Sequence, residues 1–368
     1  MKTKHISELE RSLSVHLSWN KSRIGCLARM MLAMIAVRTV NLVDIACAFG
    51  GGKTKALSSY RRLQRFFSGY DINYAEVAGV LFGLFAKDQK VYLSMDRTQW
   101  QWGKNPINIL MLSLVHKGTA IPICWSMIDS KGISNTQARI ELVNRFVHQF
   151  GKGCLAGLLC DREFFGKEWF AYLKSAEIPF FIRIKNDSIT TNSRGQMVNI
   201  WTLFLGLKHR EQRVLHGARK VYGIDVFLVG VRCDDGDQLI VATHAEEPQA
   251  IHIYRRRWEV ETLFGCLKSR GFRFEDTHIT DLERIKKLTA VLALAFAWAH
   301  RIGEWRHENH RPIKIKNHGR MAISWFRYGL DFIREILFAG KFSGVRFRQC
   351  LRQLQIPKAS LKNELITM

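Results

Sequence analysis

Apolar positions in this chain recur with two different periods, and the change between them divides it into three stretches. Up to about Lys87 the spacing is helical, most clearly through Cys26–Val43. Leu42 to Phe67, LVDIACAFGGGKTKALSSYRRLQRFF, reads as helix, glycine turn, helix. From Val91 the period shortens. VYLSMD is a short apolar run ending in Asp96, and INILMLSLVHKG with TAIPICWSMID reads as a hairpin turning at Lys117-Gly118. A helix over about Thr136 to Phe150 follows, then CLAGLLCD, a second apolar run closing on an aspartate, Asp161. A helix from about Gly166 to Ala176 leads into a fifth strand, IPFFIRIK. About Asn186 to Glu247 alternates strand-like runs (GIDVFLVGVRC, DQLIVATHA) with basic stretches. A structureless loop of that length inside a compact domain is implausible, so the spacing predicts an inserted β-subdomain. Ile251 to Arg270, IHIYRRRWEVETLFGCLKSR, lacks Pro and has no Gly before Gly265, and its good helix formers predict a helix. Leu282 to Trp305 is another, and His307 to Lys362 is a basic, aromatic tail.

Composition narrows the partners. The 368 residues allow two or three domains, and 47% hydrophobic content argues for a folded chain. Lys plus Arg outnumber Asp plus Glu by 56 to 32, a formal charge of +24, so a polyanion is the expected partner and nucleic acid the default candidate. No apolar run is long enough to span a bilayer; the longest, Leu288 to Ala299, is too short and contains Thr289. The N-terminal MKTKHISELERSL lacks the apolar core of a signal peptide. The 8 cysteines are scattered without a C-x-x-C pair, and Cys26, Cys47 and Cys160 read as small buried residues. A reducing cytoplasm is therefore the expected compartment, and no membrane partner is expected.

Candidate chemistry concentrates on the helix of Ile251 to Arg270. At about 100° per residue, Tyr254, Arg257, Glu261 and Lys268 fall within an arc of about 60°. A carboxylate between cations can hold a metal ion while its neighbours hold phosphates. The same pattern also describes a solvated face of Glu–Lys and Glu–Arg pairs. In the N-terminal region, Lys53, Lys55, Arg61, Arg62 and Arg65 make the second helix either a DNA-contacting element or an ordinary basic hairpin. The Gly-Gly-Gly-Lys-Thr run there is not a nucleotide loop: that motif needs glycine at position 47, which is Cys47, and a preceding strand.

The spacing Tyr-x2-Arg-x3-Glu-x6-Lys at Tyr254, Arg257, Glu261 and Lys268 resembles the signature of bacterial insertion-sequence transposases of the IS-four type, which cut and paste DNA through hairpin ends. Asp161-Arg162-Glu163 and Arg256-Arg257-Trp258 are similar to the local sequences around the second aspartate and the signature arginine of that group. The order of three strands, helix, strand, helix, strand fits a ribonuclease-H-like α/β fold, with acidic residues on the first and fourth strands and a later helix. Asp96, Asp161 and Glu261 fill those places.

The resemblance implies a catalytic domain over 89–306, with a β insertion at about 186–247, between a helical DNA-binding region at 1–88 and a basic helical region at 307–368 that contacts DNA or a second subunit. It further implies Asp96, Asp161 and Glu261 as catalytic ligands of Mg²⁺ or Mn²⁺, two ions in all, with Tyr254, Arg257 and Lys268 gripping DNA phosphates. Trp201, in the insertion, is a candidate for stacking on an extruded base, against ordinary core packing. Glu163 and Glu168 are read as structural. The expected partners are double-stranded DNA, as terminal inverted repeats and target, and a second copy of the chain on that DNA. A ribonuclease-H-like nuclease without strand transfer and a non-catalytic DNA-binding derivative are the alternatives.

Overall fold

The computed structural model describes residues 3–50, 55–86, 89–128, 134–317, 319–339 and 343–356. Among the described residues, the chain opens with helices α1 (Thr3–Ser14), α2 (Lys21–Val37), α3 (Leu42–Phe49), α4 (Ala56–Gly69) and α5 (Tyr74–Phe85). Strands β1 (Val91–Trp102), β2 (Asn105–His116) and β3 (Thr119–Met127) follow, then α6 (Thr136–Phe150), β4 (Leu155–Cys160), α7 (Lys167–Ser175) and β5 (Phe180–Ile184). Next come β6 (Ile189–Thr191), β7 (Met197–Asn199), β8 (Gln212–Val214), β9 (Arg219–Val221), β10 (Ile224–Arg232) and β11 (Gln238–Thr243). The last helices are α8 (Ala250–Arg255), α9 (Glu259–Leu267), α10 (Leu282–Asn309), α11 (Trp325–Phe338) and α12 (Ser343–Arg352).

The chain forms two compact units. One comprises residues 1–88, 100–107 and 263–368; the other comprises 89–99 and 108–262. The first is helical. Three of its helix N-termini are capped by asparagines: Asn20, Asn41 and Asn73 each accept a first-turn N–H, at the starts of α2, α3 and α5. Helix α10 is buried along almost its whole length and packs against α2, α5 and α11. It crosses α11 at two glycines. A Cβ on Gly329 would lie 1.8 Å from the Ala299 carbonyl oxygen, and one on Gly303 would lie 1.8 Å from that of Trp325. Gly329→Ala is therefore expected to destabilise this unit by about 3 kcal/mol, the upper range for overpacking. Thermal melting checks this; a curve unchanged from wild type would contradict so close a helix approach.

The second unit carries the sheet, in the order β3-β2-β1-β4-β5-β11-β10-β8, with β9 pairing to β10. Strands β1, β4 and β5 are mutually parallel, while β11 joins β5 antiparallel and continues the sheet into β10 and β8. Among the described residues, the β6–β7 hairpin forms a separate two-stranded sheet. Leu159, Phe181, Val229 and Val241 belong to a core cluster that also takes in Ile251 and Tyr254 of α8.

Three local expectations need correction. Asp96 does not end its strand: β1 continues to Trp102 and turns through Gly103-Lys104 into β2, with Gly103 at φ 57°. The apolar run stops at Met95 because pairing with β4 stops there, at Met95↔Cys160. Cys47 is exposed, since α3 buries Leu42, Ile45, Ala46 and Phe49 on the opposite face. The stretch from Ile251 is not one regular helix; a 3-10 turn at Arg256–Trp258 separates α8 from α9.

Candidate active site

Parallel pairing sets the first two carboxylates side by side. Met95 of β1 is in register with Cys160 of β4, so Asp96 and Asp161 are the next residues along these two neighbouring strands. Each accepts the N–H of the residue that follows it. Asp96 Oδ1 accepts the Arg97 N–H at 2.7 Å, and Asp161 Oδ1 accepts the Arg162 N–H at 2.8 Å.

The α8–α9 segment faces them. Tyr254 donates its hydroxyl to Asp161 Oδ1 at 3.2 Å. Arg257 spans two carboxylates, reaching Asp96 Oδ2 at 2.9 Å and Glu261 Oε1 at 2.8 Å. Its side chain is only 5% exposed, whereas that of Glu261 is 59% exposed. The sequence stripe thus survives the 3-10 turn for three of its members: Tyr254 meets Asp161, Arg257 meets Asp96, and Glu261 is joined to them through Arg257. Lys268 belongs to the helical unit, where it ion-pairs with Glu275 at 2.7 Å and lies 5.6 Å from the Trp100 ring centroid.

The electrostatics follow from three acids gathered around one buried cation. Burial raises the Asp96 carboxyl to about 6, opposed by Arg257 and by its N–H bond, and reinforced by the negative charges of Glu163 and Asp161. Burial also raises the Tyr254 phenol, as does the adjacent Asp161. For Arg257 burial works against the charge, but Tyr254, Asp161, Asp96 and Glu261 outweigh it and hold the guanidinium ionised. A divalent cation held by Asp96 would compete with protons for it. With its carboxyl near 6, Mn²⁺ affinity is expected to fall about tenfold between pH 7 and pH 5. Calorimetric titration at the two values measures it, and equal affinities would contradict Asp96 as a ligand.

The donor set suits a hard divalent cation. It offers only carboxylate oxygens, and among the described residues Asp161 Oδ2 and Glu261 Oε2 accept no hydrogen bond. Asp96 is mostly buried, its side chain 16% exposed, while Glu261 stands open to solvent. Such a site can bind an ion and still admit a phosphodiester.

Other expected residues lie elsewhere. Lys55 is at the N-cap of α4, and Arg61, Arg62 and Arg65 are exposed along it. Lys53 lies outside the described residues. Trp201 sits in the 3-10 stretch Ile200–Phe204 and is 40% exposed. Two residues near the carboxylates had not been singled out from the sequence. Arg97 ion-pairs with Glu163 at 3.2 Å, and Arg139, on α6, is buried beneath the turn after Asp161. A signal for Arg139 did exist: it takes one place in the buried series Arg139, Leu142, Val143, Phe146 at helical spacing, where an apolar residue is the rule.

No curated protein matches the chain. A family model does, under the description Transposase DDE domain, over residues 95–298. That span is more than half of the sequence, opening beside Asp96 and enclosing Asp161, Tyr254, Arg257 and Glu261. The chain therefore belongs to the transposase DDE-domain family, whose members are enzymes that act on DNA with divalent metal ions.

Proposed function

We propose that this transposase excises and reinserts an insertion sequence by the cut-and-paste route of the IS-four type, through hairpin ends. The observation that carries the proposal is the convergence of Asp96, Asp161 and Glu261 on the single guanidinium of Arg257. In a ribonuclease-H-like reading, supported by the order β3-β2-β1-β4-β5 and by parallel β1, β4 and β5, these three are the catalytic carboxylates.

Two Mg²⁺ or Mn²⁺ ions held there would supply an activated attacking oxygen and a stabilised leaving oxygen. The chain's own residues do the rest. Asp96, partly buried, and Asp161, fixed by the Arg162 N–H, form the rigid side of the site, and exposed Glu261 closes it from the helix. Once the negative charge of the carboxylates is balanced, Tyr254 and Arg257 can turn their donors from carboxylate to phosphate oxygens. The guanidinium is suited to a forked contact. Lys268 is assigned a phosphate contact from the motif.

The basic helices support the remaining assignments. Lys55, Arg61, Arg62 and Arg65 on α4 would engage the terminal inverted repeats, and the region from 307 onward would contact DNA or a second subunit. The strand-rich segment at about 186–247 corresponds to the β insertion of the resembling group, with half-exposed Trp201 as its base-stacking candidate. The enzyme is expected to work as a homodimer on DNA.

The test is purified protein with labelled DNA bearing the ends that flank its own gene, plus Mg²⁺, analysed on a denaturing gel beside Glu261→Ala. Metal-dependent hairpin ends that disappear in the variant are the expected result. Nicks without hairpins or joined products would replace the proposal with a simple nuclease, and binding without cleavage with a DNA-binding derivative.

A further inference from the structure

Arg139 lies on the first turn of α6 and is 3% exposed. A buried guanidinium costs free energy unless its N–H groups are satisfied, and among the described residues this one has no carboxylate at ion-pair distance. Its Nε donates to Ser134 Oγ at 2.9 Å and one terminal nitrogen to the Ser134 carbonyl at 2.6 Å. The remaining bonds go to the main-chain carbonyls of Glu163 and Phe165, both at 3.2 Å. The guanidinium carbon also lies 5.0 Å from the Phe164 ring centroid.

Those carbonyls belong to the turn that starts at Asp161, whose own carbonyl accepts the Phe164 N–H at 3.0 Å. The Glu163 side chain then reaches across to the other aspartate's strand. It meets Arg97, the residue after Asp96, at 3.4 Å through Nε and 3.2 Å through a terminal nitrogen. A continuous polar chain thus runs from α6 through the turn after β4 to β1, and it passes within two residues of both aspartates. An apolar side chain would fill the same place without needing several acceptors. Only a planar fork can hold two carbonyls of one turn and Ser134 together.

We propose that Arg139 is a positioning residue which, through Glu163 and Arg97, fixes the separation of the Asp96 and Asp161 carboxylates for metal binding. This rests on the proposed function, because it takes those aspartates as metal ligands. The sign of the effect separates geometry from simple electrostatics. Removing a cation near a metal site should by charge alone tighten Mn²⁺ binding. Loosening the ligands should weaken it, by about tenfold or more for an outer-shell partner.

The experiment is calorimetric titration of Mn²⁺ into the full-length protein and its Arg139→Met, Arg139→Lys, Arg97→Gln and Asp161→Asn variants, with thermal melting alongside. Folded Arg139→Met and Arg97→Gln are expected to bind Mn²⁺ about tenfold more weakly, with Arg139→Lys in between. Equal or tighter binding in these variants overturns the proposal and leaves Arg139 a residue of stability only. If Arg139→Met does not fold, Arg97→Gln decides, since its side chain lies closer to the surface. A wild type that binds no Mn²⁺, or an Asp161→Asn variant that binds it undiminished, overturns the metal-site reading itself and this proposal with it.

Discussion

Asp161→Asn is expected to lower end cleavage under Mg²⁺ by at least about a thousandfold, the equivalent of about 4 kcal/mol in the barrier. The reason is chemical. A scissile phosphodiester repels its nucleophile and has a poor leaving group, and metal-held charge is worth several kcal/mol at that point. The variant keeps the shape of the site, because an amide oxygen can still accept from the Arg162 N–H and the Tyr254 hydroxyl. DNA binding and melting temperature should therefore stay near the wild-type values while single-turnover cleavage collapses. A variant retaining a tenth of the wild-type rate would remove Asp161 from the chemistry.

Arg257→Ala should have the next largest effect, and on two quantities together. The guanidinium is almost fully buried and joins Asp96 at 2.9 Å to Glu261 at 2.8 Å. Its removal leaves the mostly buried Asp96 carboxylate without its counter-ion. Breaking one partner of such a pair costs about 3 kcal/mol or more. The metal-free variant should melt well below wild type, and Mn²⁺ should recover more stability in it than in wild type, because the ion supplies the missing positive charge. Cleavage should remain low even with saturating Mn²⁺, since the forked phosphate contact is also lost. Arg257→Lys should fall short as well, since an ammonium cannot span both carboxylates with the same geometry. Melting curves with and without Mn²⁺ test this. Equal Mn²⁺ stabilisation of variant and wild type would contradict the role of Arg257 as counter-ion.

What the sequence made legible follows from which signals are local. The apolar runs ending at Asp96 and Asp161 are legible because parallel pairing of β1 and β4 buries both faces up to Met95 and Cys160 and stops there. The motif around Glu261 is legible because Tyr254 and Arg257 meet the paired aspartates and Arg257 also holds Glu261, and their spacing carries that constraint. The continuation of β1 to Trp102 was not legible, since DRTQWQW is polar and aromatic without the apolar run that marks a buried strand. Nor was the 3-10 turn at Arg256–Trp258: helix propensity does not register a local tightening within good helix formers. The Arg257–Asp96 and Arg139–Glu163 contacts are long-range, 161 and 24 residues apart, and spacing within one segment cannot reveal them. The assignment of Arg257 to phosphate alone therefore missed its contact with Asp96.

The central claim is that Asp96, Asp161 and Glu261 hold a divalent cation in common. Affinity cleavage tests it most directly: Fe²⁺ replaces Mg²⁺ in the full-length protein, ascorbate and peroxide generate radicals at the bound ion, and the fragments are mapped. The account predicts backbone cuts around residues 96, 161 and 261, suppressed by excess Mg²⁺ and absent in Asp161→Asn. Cuts confined to other segments, or the same cuts in Asp161→Asn, would contradict it.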